Sequence, residues 1–144
     1  RAKSAGLADR FRMMGFTRRV PEILAGADAP VSPTHYDAYG LGVHEALCCG
    51  LPAFVTRGAG VAERYPVDLQ DLLLDNPPSS DDLAARLKRW HAAQPEFRQR
   101  VAHFSDELRQ RTWADMAADI VALAREIRAG LRRLQEHNLV DRYL

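Results

Sequence analysis

Two carboxylates, Asp37 and Glu45, stand eight positions apart with Tyr39-Gly40-Leu41-Gly42 between them. Gly40 and Gly42 have no Cβ, so the chain there can approach a ligand closely and take unusual backbone angles. The apolar spacing after them predicts a short helix over Val43–Cys49, stopped by Gly50. A helix start presents unbonded N–H groups and the positive end of a dipole, which suits an anion such as a diphosphate. Glu45, three residues beyond Gly42, is expected in the first turn, where a carboxylate can accept hydrogen bonds from ribose hydroxyls. An acid on each side of a phosphate-sized bend suits a ligand with hydroxyls at both ends and negative charge in the middle. A sugar nucleotide has that form.

Other reactive side chains carry less. His35 and His44 flank the bend without a nucleophile at telling spacing, and Glu63 is as well explained by solvent as by phosphate. Cys48 and Cys49 are adjacent, which is poor geometry for a bridge, and two thiols make no metal site. They are expected to be small buried helix residues. Arg18-Arg19 and the run Arg128, Arg132, Arg133 are expected to be solvated, the latter favourable to a helix C-terminus.

The elements that must position the bend alternate between short apolar runs and helices through about residue 76. Phe11–Phe16 is a candidate strand ending in a Gly-containing loop, with Thr17 as a possible cap and Pro21 in a first helical turn. Residues 27–33 resemble a strand, but Pro30 removes a ladder donor and assigns them to an edge. Pro52–Thr56 and Leu72–Leu74 are further short strands, with a turn at 57–60 and one helical turn at Val61–Tyr65. From Ser80, expected as an N-cap, the period is helical. Leu83, Leu87 and Trp90 form one stripe; Phe97, Val101, Phe104 and Leu108 a second after Pro95. Trp113, Met116, Ile120, Leu123, Ile127, Leu131 and Leu134 form a third, also expected to be core. Strands alternating with helices imply an α/β fold, a Rossmann-like parallel sheet with flanking helices, here followed by a helical C-terminal segment. Ligands of such sheets sit beyond the carboxyl ends of the strands, where the 34–42 loop is expected.

Composition bounds the possibilities. The chain has 144 residues, 47% hydrophobic, with 20 Lys+Arg against 19 Asp+Glu. Residues 1–79 carry 8 basic and 9 acidic side chains and residues 80–144 carry 12 and 10, so no polybasic surface recommends nucleic acid as a partner. No apolar run approaches the ~20 residues that span a bilayer, so membrane contact is at most peripheral. Unpaired thiols and the lack of a signal peptide lead to the expectation of a cytoplasmic chain. A start at Arg1 rather than Met suggests a processed chain or a piece of a longer one.

Read together, Ala27-Asp28, Ser32-Pro33-Thr34, Tyr36-Asp37-Ala38-Tyr39-Gly40-Leu41, Glu45-Ala46-Leu47, Cys49-Gly50-Leu51-Pro52 and Gly58-Ala59-Gly60-Val61-Ala62-Glu63 resemble the C-terminal domain of GT-B glycosyltransferases. The retaining "group 1" class, family 4, is the best match, in order and spacing, over roughly residues 5–120. The resemblance implies a partial donor-binding domain over 1–129 and a helical tail over 130–144. It implies that Glu45 binds the donor ribose, that Asp37 contacts hydroxyls of the transferred sugar, and that Tyr39, Gly40, Leu41 and Gly42 meet the phosphates and sugar. Gly15, Phe16 and Thr17 would line the base pocket. The implied activity is transfer of a sugar from a nucleotide diphosphate to an acceptor with retained configuration, with no cofactor and no essential metal.

Two residues depart from the family pattern. Asp37 stands for a glutamate, shortening its reach by on the order of 1.5 Å, and Ala38 replaces a glycine. The family's basic pair and its N-terminal domain would precede Arg1, so the chain is expected to be inactive by itself. Its two central strands would precede Arg1 as well, predicting an imperfect or rearranged sheet. The alternative is a non-catalytic α/β interaction or regulatory module derived from the same fold.

Overall fold

The computed structural model describes residues 4–140, and the side chains of 4–133. Its centre is a parallel sheet of three short strands in chain order, β1 (Val31–Ser32), β2 (Phe54–Thr56) and β3 (Leu73–Leu74). Val31 pairs with Phe54, and Val55 with Leu73. All three residues of β2 are buried, as a middle strand covered on both faces requires. β1 is an edge, and Pro30, which has no N–H, still accepts through its carbonyl from Phe54 N–H at 2.9 Å. Helix α1 (Val20–Ala25) precedes β1, and α2 (Leu41–Cys48) connects β1 to β2. Two 3₁₀ turns, Gly60–Arg64 and Val67–Leu72, connect β2 to β3.

Three helices follow: α3 (Ser80–Ala92), α4 (Gln94–Gln110) and α5 (Trp113–Val140). Ser79, one residue before the expected cap, closes α3 through its Oγ, which accepts from Asp82 N–H at 3.4 Å. Pro95 lies in the first turn of α4, where its missing N–H costs nothing. The α4 stripe of Phe97, Val101, Phe104 and Leu108 is buried against Leu47, Phe54 and Leu69. Leu83, Leu87 and Trp90 of α3 are half-buried on the same core, Trp90 meeting Phe54 edge-on at 6.3 Å between ring centroids. Polar ties accompany this packing. Ser105 Oγ donates to the Cys48 carbonyl at 3.0 Å and Arg109 Nη1 donates to it at 2.6 Å, satisfying an orphan carbonyl at the end of α2. Arg100 holds Asp71 through two nitrogens, at 2.7 and 3.1 Å, and links α4 to the crossover before β3.

Several expectations are corrected. Residues 11–16 form no strand: Phe11 is 63% and Phe16 93% exposed, and Gly15 takes φ +65°. An extended segment is stable only when its backbone groups are paired, and among the described residues β1 pairs with β2 alone. Thr17 is not the cap of α1; Arg19 holds that position, and Thr17 Oγ1 accepts from Arg19 N–H at 3.0 Å. Helix α2 begins at Leu41, so Glu45 is its fifth residue and lies beyond the first turn. The stripe on α5 is not core. Trp113 is 80% exposed, and Ile120, Leu123, Ile127 and Leu131 are exposed as well. Periodicity specifies an apolar face, not what covers it. The Leu134 side chain, residues 1–3 and residues 141–144 of the expected tail lie outside what is described. Cys48 is half-buried, while Cys49, just past the helix, is exposed.

Candidate functional site

The carboxyl ends of the three strands lead into loops that bind one another. Asn76, after β3, donates through Nδ2 to the His35 carbonyl after β1 at 2.9 Å. Gly58, after β2, sits under that bond: a Cβ there would lie 2.4 Å from Asn76 Nδ2 and 2.6 Å from the His35 oxygen. A Cβ on Gly60 would lie 2.5 Å from the Ala38 oxygen. Thr56, fully buried at the end of β2, donates through its hydroxyl to the Thr34 carbonyl. The 34–40 loop is therefore held from below by residues that only glycine or a short hydroxyl can supply.

The loop turns at Gly40, the N-cap of α2, where φ is +93°. A Cβ there would also press on Val61 Cγ1 at 3.0 Å, so glycine is required twice, by angle and by space. Val43 and His44 donate back to the Gly40 carbonyl at 3.0 and 3.1 Å. The N–H groups of Leu41 and Gly42 have no acceptor among the described residues, and both residues are exposed. The start of α2 thus offers two free donors and the positive end of a helix at the edge of the sheet where α/β folds bind ligands.

The two acids differ in their commitments. Asp37 is half-buried; its Oδ1 accepts from Tyr39 N–H at 3.1 Å, its carbonyl accepts from Gly60 N–H at 3.2 Å, and Oδ2 stays outside both bonds. The Glu45 side chain is exposed and makes no hydrogen bond or ion pair among the described residues. Tyr39 is half-buried, its hydroxyl 3.0 Å from His44 Nδ1. Burial lowers the His44 pKa below the usual histidine range; Arg64 adds to the shift and Glu45 opposes it. In the tautomer with its proton on Nε2, the neutral ring can accept the Tyr39 hydroxyl at Nδ1.

Asp37, Tyr39, Gly40, Leu41, Gly42 and Glu45 lie along one loop–helix junction. Gly15, Phe16 and Thr17 are in the exposed lead-in to α1, and nothing lies within 4 Å of a Cβ at Gly15. The Tyr39–His44 contact and the Gly58–Asn76–His35 clasp are not legible in residue order, because their partners come from separate elements. A hollow lined by Leu24, Ala27, Leu51 and Arg98 lies at the opposite, amino end of β1 and β2, away from this junction. Among the described residues no three His, Cys, Asp or Glu side chains are grouped as metal ligands would be. No helix there is long and apolar enough to cross a membrane.

The family model described as glycosyl transferases group 1 matches residues 1–107. Two curated relatives come from Mycobacterium tuberculosis, strains ATCC 25177 / H37Ra and CDC 1551 / Oshkosh. Both are named GDP-mannose-dependent alpha-(1-6)-phosphatidylinositol dimannoside mannosyltransferase. Each is 33% identical to this chain over 114 residues, which is 77% of this chain and 29% of the relative. The chain thus spans less than a third of the length of these relatives.

Proposed function

The chain belongs to the group 1 glycosyl transferases, and from that premise we propose that it is the donor-binding part of a retaining glycosyltransferase. The observation that carries this reading is the pair of acceptor-free amides at Leu41 and Gly42, placed by the left-handed bend at Gly40 and flanked by Asp37 and Glu45. The donor diphosphate lies against those amides, and the helix dipole with the free N–H groups stabilises the charge that grows on it as the sugar leaves. Glu45, which has no competing partner, accepts hydrogen bonds from ribose hydroxyls. Asp37 offers Oδ2 to the transferred sugar while Oδ1 holds the loop. Gly15, Phe16 and Thr17 contact the base. No metal or cofactor enters this reading. Transfer itself requires an acceptor-binding part that these elements do not supply. The relatives' names make GDP and GDP-mannose the first probes.

Titration calorimetry with GDP and GDP-mannose tests the assignment. Loss of a charge-assisted hydrogen bond in Glu45→Ala should weaken binding by about tenfold or more, with the circular dichroism spectrum unchanged. Equal affinity in the variant would overturn the role of Glu45. A second reading, a module that keeps the fold without catalysis, is favoured by Asp37: the shorter acid already spends one oxygen on its own loop. Failure of GDP, UDP and ADP alike to bind the unaltered protein would select that reading.

A further inference from the structure

One contact at the loop–helix junction is not used by donor binding as described above. Every polar group of Tyr39 is engaged. Its N–H donates to Asp37 Oδ1 at 3.1 Å, its carbonyl accepts from Val61 N–H at 2.6 Å, and its hydroxyl lies 3.0 Å from His44 Nδ1. The Tyr39 and His44 rings are also in contact, with centroids 5.6 Å apart and planes tilted by 48°. His44 is the fourth residue of α2, so the hydroxyl joins the loop to the first turn of the helix that the loop precedes. Gly60 closes the other side, since a Cβ there would come within 3.2 Å of Tyr39 Cα. Three elements therefore meet on one residue: the loop itself, the helix through the side chain, and the 3₁₀ turn after β2 through the backbone. Arg64 of that turn and Glu45 of α2 are the charged groups acting on the imidazole.

A loop that carries ligand-binding groups normally loses conformational freedom when the ligand arrives, and that loss weakens binding. A loop fixed beforehand avoids it. We infer that Tyr39 and His44 are a positioning pair, whose hydroxyl–imidazole bond holds residues 37–42 so that the Asp37 carboxylate and the Leu41 and Gly42 amides are set before a nucleoside diphosphate binds. The inference rests on the donor reading for its ligand, but its mechanical half stands without one. The Tyr39 hydroxyl and the His44 ring act through the loop they hold, not as donor contacts themselves.

Tyr39→Phe removes the hydroxyl and keeps the ring. Amide hydrogen exchange of the ligand-free protein should then speed up at Tyr39 and Val61 by about tenfold, while Leu47 and Val55 in the core keep their rates. GDP affinity should fall roughly three- to tenfold, the range for one neutral hydrogen bond. His44→Ala should do the same, and the double variant no more than either single change. His44→Asn, which offers an acceptor oxygen in place of Nδ1, should recover most of both effects. A purely structural role would lower the melting temperature and leave these local rates and the asparagine rescue unexpressed. Unchanged exchange at Tyr39 and Val61 in Tyr39→Phe overturns the inference whatever nucleotides do. Faster exchange with unaltered GDP affinity overturns the link to binding. If the unaltered protein binds no nucleoside diphosphate, the donor reading fails and takes the binding half with it, while the exchange result still decides whether the pair fixes the loop.

Discussion

At Gly42 the fold and the proposed ligand make opposite demands. Gly42 is the second residue of α2, exposed, at ordinary negative φ, and a Cβ there would meet nothing within 4 Å. Replacing a helical glycine by alanine stabilises by up to about 1 kcal/mol, less near a helix end. Gly42→Ala should therefore raise the melting temperature slightly, yet weaken GDP binding if the diphosphate lies against this amide; thermal melts and calorimetry on one sample decide it. Gly40 behaves differently. Its φ of +93° and the nearby Val61 Cγ1 predict that Gly40→Ala destabilises by about 1–2 kcal/mol or more from the backbone alone. Residue order shows both glycines in the same light, and three-dimensional neighbours separate them. His44 supplies a pH signature. Its pKa is lowered in the fold, so below about pH 6.5 the unfolded chain binds more protons than the native one, and stability falls as pH falls through that window towards the lowered native value. His44→Gln should flatten that slope in melting curves taken between about pH 5 and 7.5.

Helices α4 and α5 carry the same kind of apolar spacing and meet different fates. Phe104 is 3% exposed and stacks near Tyr65, whose hydroxyl donates to the Ala53 carbonyl at 2.8 Å. Phe104→Ala should cost about 3–5 kcal/mol in chemical denaturation. Leu123 on α5 is 57% exposed, and Leu123→Ala should change stability by no more than about 0.5 kcal/mol. The same local signal thus has two energetic values, because burial depends on a second surface. The lead-in shows the complementary case. Phe11, Met13 and Met14 have strand-like composition, but backbone pairing needs a neighbour, and among the described residues the edge strand β1 is bonded to β2 alone. Pro30 was informative because it acts locally: it lacks a donor wherever it stands, and the segment it opens lies at the sheet edge.

Over the whole chain, stability is concentrated where α2, α4 and the strands share one core, and it thins out towards the C-terminus. Hydrogen exchange should show this gradient. Amides of β2 and of α4 around Val101 should exchange about a hundredfold or more slowly than those of α5 between Ile120 and Leu131, since a helix without tertiary packing is marginal in water. Comparable protection in α5 would mean that its exposed stripe is covered in solution. What could be read along the chain was whatever acts over a few residues: the order of strands and helices from α1 onward, the parallel α/β class, the glycine bend between two acids, and the block spacing shared with group 1 glycosyl transferases. What could not be read was which apolar stripe is covered, which run finds a pairing partner, which glycine is strained, and that Tyr39 reaches His44. Helical period, turn chemistry and missing donors are local properties of covalent structure. Burial and pairing belong to segments far apart in the chain, which come into contact only when it folds, and even Tyr39 and His44, five residues apart, meet only because the bend at Gly40 turns the loop onto the helix.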